Sequence, residues 1–342
     1  MTVQTQKQNE ATFRLLEERL GAMQVGAVTR RDVSQFLQDL RSLPSVWGQD
    51  RRYRGQSFAK ALELAKKEPA HCERLSQKTI NRHASAISGM FKWAAKEGYW
   101  TGDNPASGFI DKSGDGTIKR RPFRRDELAK LFRSPIWAGC RSEHFRTEAG
   151  TVVVRDHRWW LPVLGLYTGA RVEELARLRD ADFRETAGMW VMDLVGVKIR
   201  GRSKEGSSNR TVPVHPHLVA LGLLDHIASI RAAGGGSLWP ELARGGLDDK
   251  FAPNFTKSFS KYLTDCGLKE PEICFHSFRH NMATALEGAG VAESVAAAIL
   301  GHAHKSQSYR TYSHAEGEKV RPLAEAIGKV EFGLDLSSLM KR

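Results

Sequence analysis

Patterned cysteine, long apolar runs and acidic charge are all scarce in this chain. Only four cysteines occur in 342 residues (Cys72, Cys140, Cys266 and Cys274), and no two stand in a CxxC spacing. That argues against a disulfide scaffold and the usual zinc-binding pattern, and it fits a reducing, intracellular setting. No apolar run of about 18 residues is present, so no membrane-spanning helix is expected. The first residues, "MTVQTQKQNEATFRLLEERL", are polar and hold no apolar core of a secretory signal. A cytoplasmic location is therefore expected. There is no internal repeat and no long low-complexity tract. Acidic residues number 39 against 52 lysines and arginines, a net charge of +13. Such an excess favours a polyanionic partner. Nucleic acid comes before a membrane surface, because no basic amphipathic helix stands out.

What is present is a soluble globular composition, 41% hydrophobic and 27% charged. Its length suits roughly two domains. Residues 11–43 carry apolar side chains at helical spacing: Phe13, Leu16, Leu20, then Val33, Phe36, Leu37 and Leu40. A further helix is expected in "LSQKTINRHASAISGMFKWAAKEGYW". Ser76 serves as N-cap, and Ile80, Ala84, Ile87, Phe91 and Ala94 form the apolar stripe. Lys78, Arg82, His83 and Lys92 fall off that stripe, on a face that is either solvated or laid on phosphates. The Gly- and charge-rich stretch "FIDKSGDGTIKRRP" marks a domain boundary. The expected organisation is a helical domain over 1–110, a basic linker over 111–122 and a larger domain over 123–342. Arg120 and Arg121 at the linker's end join Lys78 and Arg82 as DNA-contact candidates. In the second half, "HRWWLPVLGLYTGARVEELARL" reads as helical with a break at Thr168 and Gly169. From Trp190 the period changes: Val195, Val197 and Ile199 alternate, "RGRSKEGSSNR" turns, and "TVPV" resumes. The fold class is thus mainly α with a small antiparallel β-sheet, an α+β protein.

Four short segments carry side chains suited to phosphate chemistry. In "TGARVEEL", Arg171 stands at the start of a helix, where free N–H groups attract anions, and Glu174 three residues on can orient it. In "FHSFRH", His276 and Arg279 share a helix face. His276 and His280 also have the spacing of a metal pair, but Ser277 stands where the glutamate of such a motif would be, and an arginine beside a dication is unfavourable. In "VAESVAAAILGH", Gly301 stops a helix and leaves His302 just beyond it. Tyr309 and Tyr312 follow. Lys204 lies in the turn between the two expected strands. Singly, each segment also fits an ordinary surface pair, helix cap or solvated loop. In this order they form one set suited to attack of a tyrosine on a DNA phosphodiester.

Here the chain resembles the tyrosine recombinases of the phage integrase family. "TGARVEEL", "FHSFRH", "LGH" and "YSH" occur in the family's order, and "TINRHASAISGMFKWAAKEGYWTGDNPA" is similar to its core-binding domain. The resemblance implies a two-domain DNA clamp, with a catalytic domain from about Arg121 onward. It implies that Arg171, Lys204, His276, Arg279, His302 and Tyr312 are catalytic and that Glu174 supports Arg171. Lys198 competes with Lys204 for the lysine's role. Tyr309 stands too close to His302 for the family's usual interval. His304 and His314 receive no role.

The resemblance further implies a 3′-phosphotyrosine intermediate, formed without cofactor, metal or ATP. Its implied partners are double-stranded DNA at a specific recombination site, a homotetramer on that DNA and accessory DNA-bending proteins. A bacterial, phage or mobile-element origin and association with the nucleoid follow from the same likeness. The apolar stretch in "RPLAEAIGKVEFGLDLSSLMKR" is expected to dock on a neighbouring protomer. Three other readings compete: an inactive DNA-binding protein on the same scaffold, a type IB topoisomerase-like relaxing enzyme, and a metal-dependent hydrolase using His276, His280, His302 and His304.

Overall fold

A computed structural model of the chain describes residues 1–111, 119–195, 209–302, 316–336 and 339, with 316–318 described by backbone alone. It divides into two compact units, Met1–Ile118 and Lys119–Arg342.

The first unit is helical: α1 (Val3–Leu20), α2 (Arg30–Ser42), α3 (Phe58–Ala65) and α4 (Gln77–Lys96). Each of these helices begins on a side-chain cap. Thr29 and Asp32 form a reciprocal capping box at α2, and Ser76 accepts from the Thr79 N–H at α4. Helical spacing of apolar side chains then builds the core. Leu16, Val33, Phe36, Leu37, Leu40, Phe58, Ile80, Ala84, Ile87 and Phe91 are all buried together. The expected stripe of α4 is the face that is buried. His83 departs from expectation. It lies at the stripe's edge, is buried, and meets Thr12 Oγ1 of α1 through Nδ1 at 2.8 Å. A polar side chain enters this core because a partner on another helix satisfies it.

The second unit holds α5 (Arg125–Phe132), α6 (Pro135–Ala138), α7 (His157–Thr168) and α8 (Val172–Ala176) before its sheet. The sheet has β1 (Phe183–Thr186), β2 (Met189–Leu194) and β3 (Arg210–Pro213), antiparallel in that order. After it come α9 (Pro216–Ala220), α10 (Leu223–Ala232), α11 (Ala252–Asp265), α12 (Ser277–Gly288), α13 (Glu293–Leu300) and α14 (Glu316–Gly328). α7 is the central rod, buried along its length apart from Arg158. α12 packs directly on it.

The sheet differs from the sequence reading in two ways. β1 was not anticipated; it joins β2 through Ala187 and Gly188, both at positive φ (50° and 73°), the backbone of a tight two-residue hairpin. The expected alternation at Val195, Val197 and Ile199 begins earlier, in β2, while Val195 is exposed and the other two lie outside the described residues. β2 pairs Leu194 with Arg210, the first residue of β3.

The C-terminal tail packs on its own unit. Val330, Leu336 and Leu339 are buried in the same core as α7. Backbone carbonyls of the tail are also held: His215 Nε2 donates to Val330 O at 3.1 Å, Arg125 to Gly333 O at 3.2 Å, and Arg155 to Leu339 O at 2.8 Å. The apolar side chains of its described residues therefore already have partners within their own unit.

Candidate active site

The site is assembled where α7 ends. Gly169 terminates α7 with φ +62°, a left-handed conformation that an L side chain adopts only at a cost. Space is equally restrictive. A Cβ at this position would lie 2.6 Å from Leu300 Cδ2 and 3.1 Å from Met282. The bare turn lets the middle of α12 and the end of α13 close on it. The carbonyl of Gly169 then accepts from Arg279 Nη1 at 2.9 Å.

Two residues later Arg171 caps α8. Its backbone N–H donates to Glu174 Oε2 and its Nη1 donates to Glu174 Oε1, each at 2.9 Å. Glu174 is buried. Burial would raise its pKa, but Arg210 and Arg171 outweigh that and hold the carboxylate below its ordinary value. Arg171 itself keeps 42% of its side chain exposed, so its remaining donors face outward.

Arg279 on α12 is only 5% exposed. Burial, together with the nearby Arg171 and Arg210, lowers its pKa to about 10. Its Nη2 is buried with no hydrogen-bond partner among the described residues. A buried donor left unpaired costs about 1–3 kcal/mol, so this one marks a place built for an acceptor.

His276 caps α12, one turn before Arg279, with its ring 5.3 Å from that of His280. Its surface is solvent-accessible, yet protein atoms crowd the ring. That desolvation, then His280, Arg279, Arg171 and Arg120, lowers its pKa below the ordinary histidine value. The neutral base is thereby favoured at neutral pH. Among the described residues no third His, Cys, Asp or Glu joins the two histidines in a metal-binding group.

His302 follows the cap of α13. Gly301 has φ +70°, its N–H and that of His302 both donate to Ala297 O, and His302 is exposed. A Cβ on Gly301 would meet Arg210 Nη1 at 2.9 Å. The structure thus brings Arg171, Glu174, His276 and Arg279 together and sets His302 on a turn packed against Arg210. Lys204 and its competitor Lys198, Tyr309 and Tyr312, and His304 and His314 lie outside the described residues.

Sequence reasoning missed Arg210. Its only local signal is a charge at the start of a strand whose next inward side chain is Val212. Its partners, Glu174 and Ile299, are remote in sequence.

The DNA-contact candidates fall into two kinds. Lys78 and Arg82 are exposed on α4, and the same face carries Ser85, Gly89, Lys92 and Lys96, all exposed. Steps of three and four residues keep these six on one line of the helix. None of the four cations joins an ion pair among the described residues. Arg120 and Arg121, by contrast, belong to the second unit. Arg121 pairs with Glu127, at 2.7 Å, and with Glu270, and it is half-buried. Arg120 is exposed and donates to Pro271 O, within electrostatic reach of His276.

Fold and site together define a mainly α protein in which Arg171, Glu174, His276 and Arg279 gather at the end of α7. Residues 161–319 match the family model described as the phage integrase family, so this part of the chain is similar to that family. All the candidate catalytic positions fall within that span. Among solved structures, the integrase of the Tn1549 transposon, in complex with transposon right end DNA, is 18% identical. The match covers 95% of this chain and 99% of that one, with a TM-score of 0.55. A lambda integrase tetramer bound to a Holliday junction is 15% identical over 90% of this chain and 74% of its own, with a TM-score of 0.54. The site-specific recombinase XerH, bound to a palindromic difH substrate, is 16% identical over 88% and 73%, also at 0.54. At these identities the likeness is one of fold. No curated protein matches the chain significantly. Among the described residues no helix is long and apolar enough to cross a membrane.

Proposed function

We propose that this chain is a site-specific DNA recombinase that cuts and rejoins strands through a 3′-phosphotyrosine intermediate. The observation that supports the reading is the buried Nη2 of Arg279, without a partner among the described residues, near the partly exposed Arg171. Two guanidinium groups so placed suit the non-bridging oxygens of a phosphodiester. Charge on those oxygens grows as the fifth bond to phosphorus forms. Preorganised donors of this kind are worth roughly 2.7–4 kcal/mol each, by analogy with oxyanion holes.

In this reading the Tyr312 hydroxyl attacks phosphorus and passes its proton to His276. A phenol's ordinary pKa near 10 keeps it protonated at neutral pH, so a base is needed. The lowered pKa of His276 suits it to that role. The P–O5′ bond breaks as the P–O(Tyr) bond forms, and Lys204 protonates the departing 5′ oxygen. His302 adds a hydrogen bond to the phosphoryl group. A 5′-hydroxyl from another strand reverses the sequence, so the phosphodiester is exchanged without ATP. The side-chain cations stand where other phosphoryl-transfer enzymes place metal ions.

Assembly follows the same reading. The domain over 1–110 binds DNA through the α4 face, the segment 111–122 links, and 123–342 carries the chemistry. Together they close on a duplex. Exchange between two duplexes takes four cleavages, hence a homotetramer, the assembly of the lambda integrase to which the fold is similar.

The test uses a nicked suicide duplex from the DNA flanking the gene, incubated in EDTA with wild type, Tyr312→Phe and Tyr309→Phe. An SDS-resistant protein–DNA adduct that disappears only in Tyr312→Phe is the expected result. Loss only in Tyr309→Phe moves the nucleophile. A site that binds but never yields an adduct refutes the chemistry.

A further inference from the structure

We infer that Arg210 is a positioning residue for strand cleavage, one that ties the two halves of the phosphate site into a single rigid unit. The inference rests on the recombinase reading above and adds a residue to it.

Arg210 stands at the first position of β3 with 6% of its side chain exposed. Its Nη2 donates to Glu174 Oε2 at 2.9 Å, and its Nε donates to Ile299 O at 2.7 Å. Glu174 gives its other oxygen to Arg171. Ile299 is in the last turn of α13, directly before the Gly301 turn that presents His302. One guanidinium therefore spans the support of Arg171 on one side and the support of His302 on the other. The bare Gly301 allows this closeness, since a Cβ there would sit 2.9 Å from Arg210 Nη1 and 3.1 Å from its Cδ.

The fork geometry of arginine matters. A lysine in the same place carries the charge but reaches only one of two acceptors that lie in different directions. Charge alone would also make Arg210 a poor choice here. Three guanidinium groups, Arg171, Arg210 and Arg279, surround the single carboxylate of Glu174. Arg210 adds to the repulsion on Arg279. A residue that only stabilised the fold would not need to be the third cation in this pocket. A residue that must hold Glu174 in one orientation, and keep it ionised, does. With Arg210 gone, the Glu174 carboxylate can rotate, Arg171 loses its fixed bracket, and the α13 turn loses its tie to β3. The phosphate would then be met by donors set for it less accurately, and displacements near 1 Å can cost on the order of 100-fold in rate.

The experiment compares wild type, Arg210→Met and Arg210→Lys on two nicked duplexes. One has the ordinary scissile phosphodiester; the other has a methylphosphonate there, with one negative oxygen replaced by methyl. The rate of covalent adduct formation, the Kd for DNA and the Tm are read for each. The expected result is an adduct rate about 100-fold lower for Arg210→Met on the phosphodiester, with DNA affinity within threefold of wild type. Arg210→Lys falls between. On the methylphosphonate, which asks less of the arginine pair, the gap shrinks to less than about tenfold. An equal loss on both substrates, or no loss, overturns the inference. So does unfolding of both variants, which would make Arg210 a residue of the fold. Failure of the wild type to form any adduct on DNA it binds refutes instead the recombinase reading beneath it.

Discussion

The two units carry positive charge in opposite ways. On α4 of the first unit, Lys78, Arg82, Lys92 and Lys96 stand exposed along one helix face, without an ion pair among the described residues, with Ser85 and Gly89 between them. In the second unit, Arg210 and Arg279 are buried, and with Arg171 they are bound to Glu174 or to backbone carbonyls. The first arrangement costs little to build and tolerates change, because each cation is separately solvated. It suits affinity that spreads over many phosphates and weakens with salt. The second arrangement holds charge in a fixed geometry at the expense of desolvation. Donors fixed in advance are what a transition state rewards, since no reorganisation is left to be done at the moment of reaction. In the recombinase reading proposed above, the first arrangement serves contact and the second precision.

Breaking the precise side should have the largest effect. Arg279→Met removes the buried guanidinium whose Nη2 awaits a partner. The rate of adduct formation is expected to fall about 1000-fold while DNA affinity changes little. Single-turnover kinetics on the suicide duplex measure this, and a rate within tenfold of wild type would contradict it.

Next comes the backbone that carries that arginine's acceptor. Gly169→Ala places a methyl 2.6 Å from Leu300 and forces an L side chain to φ +62°. The carbonyl that holds Arg279 then shifts. A rate loss of about 100-fold, with Tm lowered by several degrees, is expected.

On the spread-out side, effects should be smaller and of a different kind. Replacing Lys78 and Arg82 by alanine should weaken DNA binding about uniformly across sequences. The slope of log K against log salt should fall by about one for each lost phosphate contact, with little change in the rate of the bound complex. Salt titrations of both forms test this; an unchanged slope would remove the α4 face from the DNA interface.

The smallest effects are those of pH. His276 has a lowered pKa, so as a general base it stays neutral below pH 6.5, and the acid limb of the rate profile should lie under that value. Arg120→Ala removes one of the cations that lower it, so the limb should move upward. Stability titrates separately in the two units. His83 in the first and His215 in the second are buried neutral histidines with pKa lowered to about 4. Between about pH 6.5 and 4 the unfolded chain binds protons that the folded chain does not, so stability present above 6.5 declines as pH falls through that window. At pH 5 each histidine should cost about 2 kcal/mol, read as a lower Tm than at pH 7.

Much of this was legible in the chain. Apolar spacing located α2 and α4, and "TGAR", "FHSFRH" and "LGH" each sit at a helix boundary where the structure puts Arg171, His276 with Arg279, and His302. Periodicity and helix stops are local properties, so they survive in a linear string. β1 escaped because its four residues are too short to show alternation, and its turn sets beside Gly188 an alanine, Ala187, that does not announce positive φ. His83 was assigned to the outer face because its angle on α4 falls at the edge of the stripe. Thr12 on α1 decided the matter.

By itself, the sequence placed α2 and α4 and singled out Arg171, Glu174, His276, Arg279 and His302 as one candidate set. Only the tertiary structure decided how those side chains are held. Glu174 and Arg210 lie far apart in the chain, as do Arg210 and Ile299, or Asn281 and Phe123, whose N–H donates to Asn281 Oδ1 and whose carbonyl accepts from Asn281 Nδ2. A hydrogen bond between two groups distant in sequence has no periodicity to betray it. It exists only once packing has brought the two together and excluded the water that would otherwise satisfy them.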